Sequence, residues 1–167
     1  MPESTDSGVT RGTAEVVVAS NRAAAGVYAD ETGPLIVEAL RDLGFTVTAP
    51  VVVPDGAPVG AAIAAAVDGG ARVVLTTGGT GLTPTDQTPE QTRPLLEREV
   101  PGIAEAIRAA GVEAGIPTAV LSRGLAGVRG SCLIVNLPGS RGGVKDGLSV
   151  LRPILVHAVE QIVGSDH

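Results

Sequence analysis

Aromatic side chains are almost missing from this sequence. It has no Trp, and Tyr28 and Phe45 are the only aromatics in 167 residues. A core built without them must be aliphatic, filled by Val, Leu, Ile and Ala. Cysteine is equally scarce. The single Cys132 excludes an intramolecular disulfide and fits a reducing compartment. It sits in the apolar run Cys132-Leu133-Ile134-Val135, where a small buried hydrophobe is the expected role. Histidine occurs only as His157, inside a helical pattern, and as His167 at the chain end. No His/Cys ligand cluster can be assembled from these, which excludes a zinc site.

Basic charge is also in deficit, with 12 Lys and Arg against 18 Asp and Glu and a formal net charge of −6. Such a chain has no general attraction for nucleic acid or an anionic membrane. Any anion it binds must be held locally by backbone N–H groups, Arg, Lys or a metal. No window approaches the roughly 20 apolar residues of a membrane span. Residues 1–11 are polar and lack an apolar stretch after a basic start, so they read as a flexible tail and not as a signal peptide. A cytoplasmic protein is expected. No G-x-S-x-G elbow, Walker A loop or dinucleotide fingerprint is present either.

What is there alternates between strand and helix patterns. The continuous apolar run Val16-Val17-Val18-Ala19 predicts a strand over 13–20 buried on both faces, as in a parallel sheet. A polar loop over 20–30 leads to a helix over 33–43, where Leu35, Ile36, Ala39, Leu40 and Leu43 have helical spacing. Further strands are expected over 45–53, 72–76 and 131–136. Further helices are expected over 57–67, from Thr88, over 103–112 and over 144–163, with Pro153 kinking or breaking the last. Thr88, Pro89 and Gln91 read as an N-cap, an N1 proline and a capping-box partner. The stretch 118–130 fits a short strand, a turn and a return. In the last helix Val150, Ile154 and Val159 fall outside the main apolar stripe, through deeper burial or a subunit contact. The order β-α-β-α-β-α-α-β-α, without repeat or linker, predicts one domain over 12–167. Its expected architecture is a three-layer α/β/α fold with a mostly parallel central sheet.

In an open α/β sheet, ligands bind beyond the carboxyl ends of the strands. Four such ends carry unusual loops: Ser20-Asn21-Arg22, Pro54-Asp55, Thr77-Gly78-Gly79-Thr80-Gly81 and Asn136-Leu137-Pro138-Gly139-Ser140. The predicted fold brings them to one rim. Glycines without Cβ let successive N–H groups approach an anion, or simply allow a tight turn. With Thr88 assigned to the helix start, Asp86 is left to hold a cation or to form an Asx turn. Asp55, before Gly56, suits a turn, an N-cap or a functional carboxylate. Arg22, Ser122, Arg123, Arg141 and Lys145 are either solvated or anion-holding.

Together these motifs carry a resemblance. Thr76-Thr77-Gly78-Gly79-Thr80-Gly81 followed by Thr85-Asp86-Gln87-Thr88-Pro89-Glu90 resembles the signature of the Mog/MoaB family of molybdenum cofactor proteins. The likeness continues through Val53-Pro54-Asp55, Leu121-Ser122-Arg123, Ala126-Gly127-Val128-Arg129-Gly130 and Asn136-Leu137-Pro138-Gly139, and spans about 14–162. The resemblance implies a molybdopterin-binding α/β domain, usually trimeric. Active members transfer AMP from Mg-ATP to the terminal phosphate of molybdopterin and release pyrophosphate. It implies catalytic roles for Asp55 and Asp86, with Asp86 on Mg²⁺, and a nucleotide site at Thr77, Gly78, Gly79, Thr80 and Gly81. Molybdopterin is expected against Ser20, Arg22, Ser122, Arg123, Asn136, Pro138, Gly139 and Ser140. Two departures stand out: Gln87 replaces a frequent Val, and Gly139-Ser140-Arg141 replaces a more usual Gly-Asn/Gln-Pro. The alternative is a non-catalytic molybdopterin-binding or scaffold trimer. A molybdate-inserting enzyme is expected as a downstream partner and not as this chain, which has no room for its extra domains.

Overall fold

The computed structural model describes residues 10–164, so the tail expected over 1–11 lies outside the described residues except for Thr10 and Arg11. Arg11 is held: its N–H donates to the Gly44 carbonyl at 3.1 Å, and its guanidinium lies 3.6 Å from Glu160.

The sheet grows outward from β1 (Thr13–Ala19), β4 (Val73–Thr77) and β7 (Cys132–Leu137), whose residues are nearly all buried. These three are parallel neighbours, in register from Ala14 opposite Val73 and Val73 opposite Leu133. Their alternating side chains feed two cores. Ala14, Val16, Val18, Val73, Leu75, Leu133 and Val135 face one side, where α2 (Thr32–Asp42), α5 (Pro101–Glu113), α6 (Arg141–Leu151) and α7 (Leu155–Ile162) pack. Val17, Ala19, Val74, Cys132 and Ile134 face the other, against Val59, Ile63 and Ala66 of α3 (Ala57–Asp68). That double burial is why these strands read as unbroken apolar runs. The three-layer α/β/α expectation holds, and the sheet order is β2 (Thr46–Val47), β1, β4, β7, β6 (Ala126–Arg129) and β5 (Arg98–Glu99), with β3 (Val51–Val53) also on β1.

Several boundaries differ from the sequence expectation. The strand predicted over 45–53 is two pieces, β2 (Thr46–Val47) and β3 (Val51–Val53), both parallel to β1. Pro50 falls between them and has no N–H to donate to the ladder. The ambiguous stretch becomes a 3-10 turn, Pro117–Leu121, and then β6 (Ala126–Arg129). β6 runs antiparallel to β7 through a turn at Gly130, where φ is +54°. A two-residue edge strand, β5 (Arg98–Glu99), pairs with β6 and was not foreseen. The helix expected over 103–112 starts two residues earlier, with Pro101 at its first position. Pro153 does break the final helix, into α6 and α7, while Leu151 and Leu155 stay in one core. Val159 turns out to be a core residue, buried more deeply than Ala158.

Candidate active site

The four loops do meet at the carboxyl edge of the sheet, and the glycines explain how. At the tip of β4, Gly78 and Gly79 have φ of +89° and +67°, a region L side chains rarely enter. A Cβ on Gly78 would collide with the Ala19 carbonyl, and one on Gly79 with the Thr88 hydroxyl and, at 3.0 Å, Asp55 Oδ1. The β7 tip closes in from the other side. Gly78 donates its N–H to the Leu137 carbonyl at 3.3 Å, and the buried Thr77 hydroxyl donates to the Pro138 carbonyl at 2.7 Å. The next three N–H groups, of Gly79, Thr80 and Gly81, donate to no protein acceptor among the described residues. Consecutive free donors at a strand tip form a cradle for an anion.

Thr88 is not the expected N-cap. The cap position of α4 (Thr88–Thr92) is Gln87, without a side-chain cap bond. The Thr88 hydroxyl donates instead to the Gly78 carbonyl at 2.9 Å and its N–H to the Gly79 carbonyl at 3.0 Å. Thr88 is thus the first helical residue, and its hydroxyl ties the helix start to the glycine loop.

The two aspartates sit on either side of this loop with reversed emphasis from the sequence reading. Asp86 Oδ2 accepts the Thr83 N–H at 3.0 Å, so one of its oxygens closes the 83–86 turn. Asp55 neither caps α3, whose N-cap is Gly56 without a side-chain bond, nor pairs its buried Oδ1 with any hydrogen-bond donor. Burial, then repulsion from Asp86, pushes the Asp55 carboxyl above its ordinary value, and hydrogen bonding from the Asn21 main chain acts the other way. The Asn21 side chain accepts the Asp55 N–H at 2.9 Å and fixes the backbone there. A half-buried carboxylate facing a second carboxylate, with an orphaned oxygen, is matched to a small hard cation.

The remaining expected residues fall into two groups. Ser122, Pro138, Gly139 and Ser140, with Thr80 and Gly81, line a cavity of about 630 Å³ between the rim and α5. Ser20, Thr77, Gly78 and, again, Gly139 line a second of about 460 Å³, with Tyr28 and Arg141. Ser122 Oγ donates to Thr80 Oγ1 at 3.1 Å, and Ser140 Oγ caps α6 by accepting the Gly143 N–H at 3.0 Å. Ser20 Oγ caps the short α1 (Asn21–Ala24) and lies 3.1 Å from the Tyr28 hydroxyl.

Three residues expected at molybdopterin line neither cavity. Arg22 is exposed on α1 and lines neither cavity. Arg123 is consumed as a clamp: Nε donates to the Gly81 carbonyl at 2.9 Å, Nη2 to the Asp86 carbonyl at 3.0 Å, and Nη1 pairs with Glu90. Asn136 is only 3% exposed. Its Nδ2 donates to Thr76 and Thr92 hydroxyls at 2.9 and 3.1 Å, and its Oδ1 accepts the Leu125 N–H at 3.0 Å. It braces the rim from beneath. Arg108 was missed altogether. It reaches the larger cavity from α5, donating to the Ser122 and Gly124 carbonyls at 3.2 and 3.1 Å. Only its place beside Ile107, on the buried stripe, gave a signal in sequence.

Comparison with known proteins follows this geometry. A family model described as "Probable molybdopterin binding domain" matches residues 15–157. The molybdopterin adenylyltransferase of Pyrococcus furiosus is 39% identical over 149 residues, 87% of this chain and 88% of that protein. The chain belongs to the Mog/MoaB family. Its fold matches a solved Mog/MoaB structure, the molybdopterin biosynthesis Mog protein from Mycobacterium ulcerans, with a TM-score of 0.86 and 53% identity, covering 90% of this chain and 98% of that one. The molybdenum cofactor biosynthesis bifunctional protein of Synechococcus elongatus is 41% identical over 155 residues, 92% of this chain. That alignment covers 48% of the bifunctional protein, so this Mog/MoaB chain spans about half the length of that curated relative.

Proposed function

We propose that this chain adenylylates the terminal phosphate of molybdopterin, using Mg-ATP and releasing pyrophosphate. The observation that carries the reading is the Asp55–Asp86 pair beside the glycine loop, with Asp55 Oδ1 buried and unpaired. Membership of a family with adenylyltransferases so named supports it.

The nucleophile in this reaction is a phosphate monoester, whose second pKa is about 6 by analogy with phosphorylated side chains. It is mostly ionised at neutral pH, so no strong base is needed, consistent with a rim that has no histidine. Its oxygen forms a bond to the α-phosphorus of ATP. The bond from that phosphorus to the bridging oxygen breaks, and pyrophosphate leaves with the electron pair. The N–H groups of Gly79, Thr80 and Gly81 hold phosphate oxygens of the nucleotide. The cavity lined by Ser122, Pro138, Gly139 and Ser140 orients molybdopterin, so that two anions meet in one geometry. Asp55 and Asp86 are the residues that hold Mg²⁺. When bound, that ion supplies the positive charge that lets two phosphates approach and offsets the charge of the leaving group. Arg123 and Asn136 keep the loop in place.

The exposed apolar Val112 and Val120, outside both cavities, support burial against further copies, and we take the assembly to be a homotrimer. A cytoplasmic setting fits the free thiol of Cys132, and a molybdate-inserting enzyme is the chemically sensible recipient of the product.

The test is pyrophosphate release from molybdopterin and Mg-ATP. Asp86→Asn should lower turnover on the order of 10²-fold or more while the melting temperature stays near wild type. Full turnover in the presence of a chelator would overturn the metal role. Tight molybdopterin binding without any release would favour the scaffold reading instead.

A further inference from the structure

The larger rim cavity is lined by two charges of opposite sign, Arg108 and Asp146, with no ionic partner among the described residues. Its lining combines the apolar Ile107, Ile116, Ala119 and Leu121 with glycines, including Gly111 and Gly139, around about 630 Å³, room enough for a bicyclic ring. Arg108 enters it with one terminal nitrogen, Nη1, spent on the Ser122 and Gly124 carbonyls, which fixes the guanidinium plane. Its Nε and Nη2 donate to no acceptor among the described residues. Asp146 of α6 lines the same cavity, half-buried. Among the described residues its carboxylate has no hydrogen bond or ion pair, and the Ser149 hydroxyl donates to its backbone carbonyl. The two charges do not pair with each other within 4 Å. A donor fork and an acceptor pair in one apolar slot, left apart, complement a ring edge that both donates and accepts.

We propose that Asp146 and Arg108 read a 2-amino-4-oxopyrimidine edge, with Asp146 accepting from the ring N–H and the 2-amino group and Arg108 donating to the 4-oxo group. The inference rests on the proposed function and deepens it: this edge belongs to the pterin of the acceptor substrate. Guanine carries the same edge and adenine does not. The slot therefore admits the acceptor and keeps the adenine of ATP out, so that each substrate finds its own half of the rim. Asp146 is a specificity residue here, and its removal should spare the fold, since no protein group depends on its carboxylate.

Pterin fluorescence gives a direct readout, because the protein has no Trp to interfere. The probe is 6-carboxypterin, titrated with the full chain, with GMP and AMP as competitors. Wild type should bind the pterin, GMP should displace it and AMP should not. Asp146→Asn, which replaces an acceptor by a donor, should weaken pterin binding about ten- to hundredfold. The same variant should keep the wild-type melting temperature and KM for ATP. Lumazine, with a carbonyl in place of the 2-amino group, should show the opposite response and bind the variant at least as well as wild type. Equal pterin affinity of wild type and Asp146→Asn, or displacement by AMP as effective as by GMP, would overturn this assignment alone. Failure of wild type to bind the pterin at all would overturn the molybdopterin reading with it.

Discussion

Replacing Asp55 by Asn should make the metal-free protein more stable while removing its activity. Asp55 Oδ1 is buried without a donor, and both burial and Asp86 push its carboxyl upward. A group whose pKa is raised on folding contributes stability that is complete below the unfolded value, near 3.9 for Asp. That contribution is lost as pH rises through the folded value. At neutral pH the wild-type fold therefore carries a charge it would be better without. An unsatisfied buried polar group costs about 1–3 kcal/mol. Asp55 is only partly buried, so the lower end applies, about 1 kcal/mol, or about 2–4 °C in melting temperature for a chain of this size. The measurement is calorimetric melting of both proteins in EDTA at pH 4 and pH 7. The two curves should nearly coincide at pH 4 and separate at pH 7, with Asp55→Asn melting higher. Adding Mg²⁺ should raise the wild-type melting temperature and leave the variant unchanged. A variant that melts lower than wild type at pH 7, or a gap that does not change with pH, would refute the idea that this carboxylate is held in wait for a cation.

Two further outcomes follow from the buried polar and thiol groups. Asn136→Leu would strand the Thr76 hydroxyl and the Leu125 N–H and leave the Thr92 hydroxyl only its bond to the Thr88 carbonyl, costing about 3 kcal/mol; urea unfolding should show a clear fall in midpoint, with turnover falling too as the rim loosens. Cys132, 1% exposed and with its thiol pushed up to about 12 by burial, should resist a disulfide reagent at pH 8 in the native state and react at once in denaturant; labelling at equal rates in both states would contradict its buried place between β7 and α3.

The layers of this fold were legible because its main strands have no solvent face. Val16 to Ala19 and Cys132 to Val135 are apolar at every position, which only a doubly covered strand requires. β5 was invisible for the opposite reason, since Arg98 and Glu99 are charged and exposed. The break at Pro50 was written in the residue itself, but an apolar run on both sides masked it. At the rim, residue type revealed where chemistry is concentrated without revealing partners. Arg123 and Asn136 sit in the motif, yet one is spent on loop carbonyls and the other on buried hydroxyls. Asp55 looked like a turn residue because a carboxylate before Gly usually is one. Only coordinates show that its oxygen caps nothing. Thr88 fails as a cap for the same reason: its hydroxyl had a long-range alternative that local pattern cannot display.

The contact between the β4 and β7 tips limits how such a site can change. Gly78 and Gly139 meet main chain against main chain, so closely that a methyl group added to Gly139 would stand 3.1 Å from the Gly78 Cα. No side chain of either sign can be planted on that seam without parting the strands beneath it. New substrates must then be won at the periphery, at positions such as 28, 121 and 146, where replacement leaves the ladder intact. The middle of the rim is a fixed seam, and the two hollows beside it can be redecorated independently.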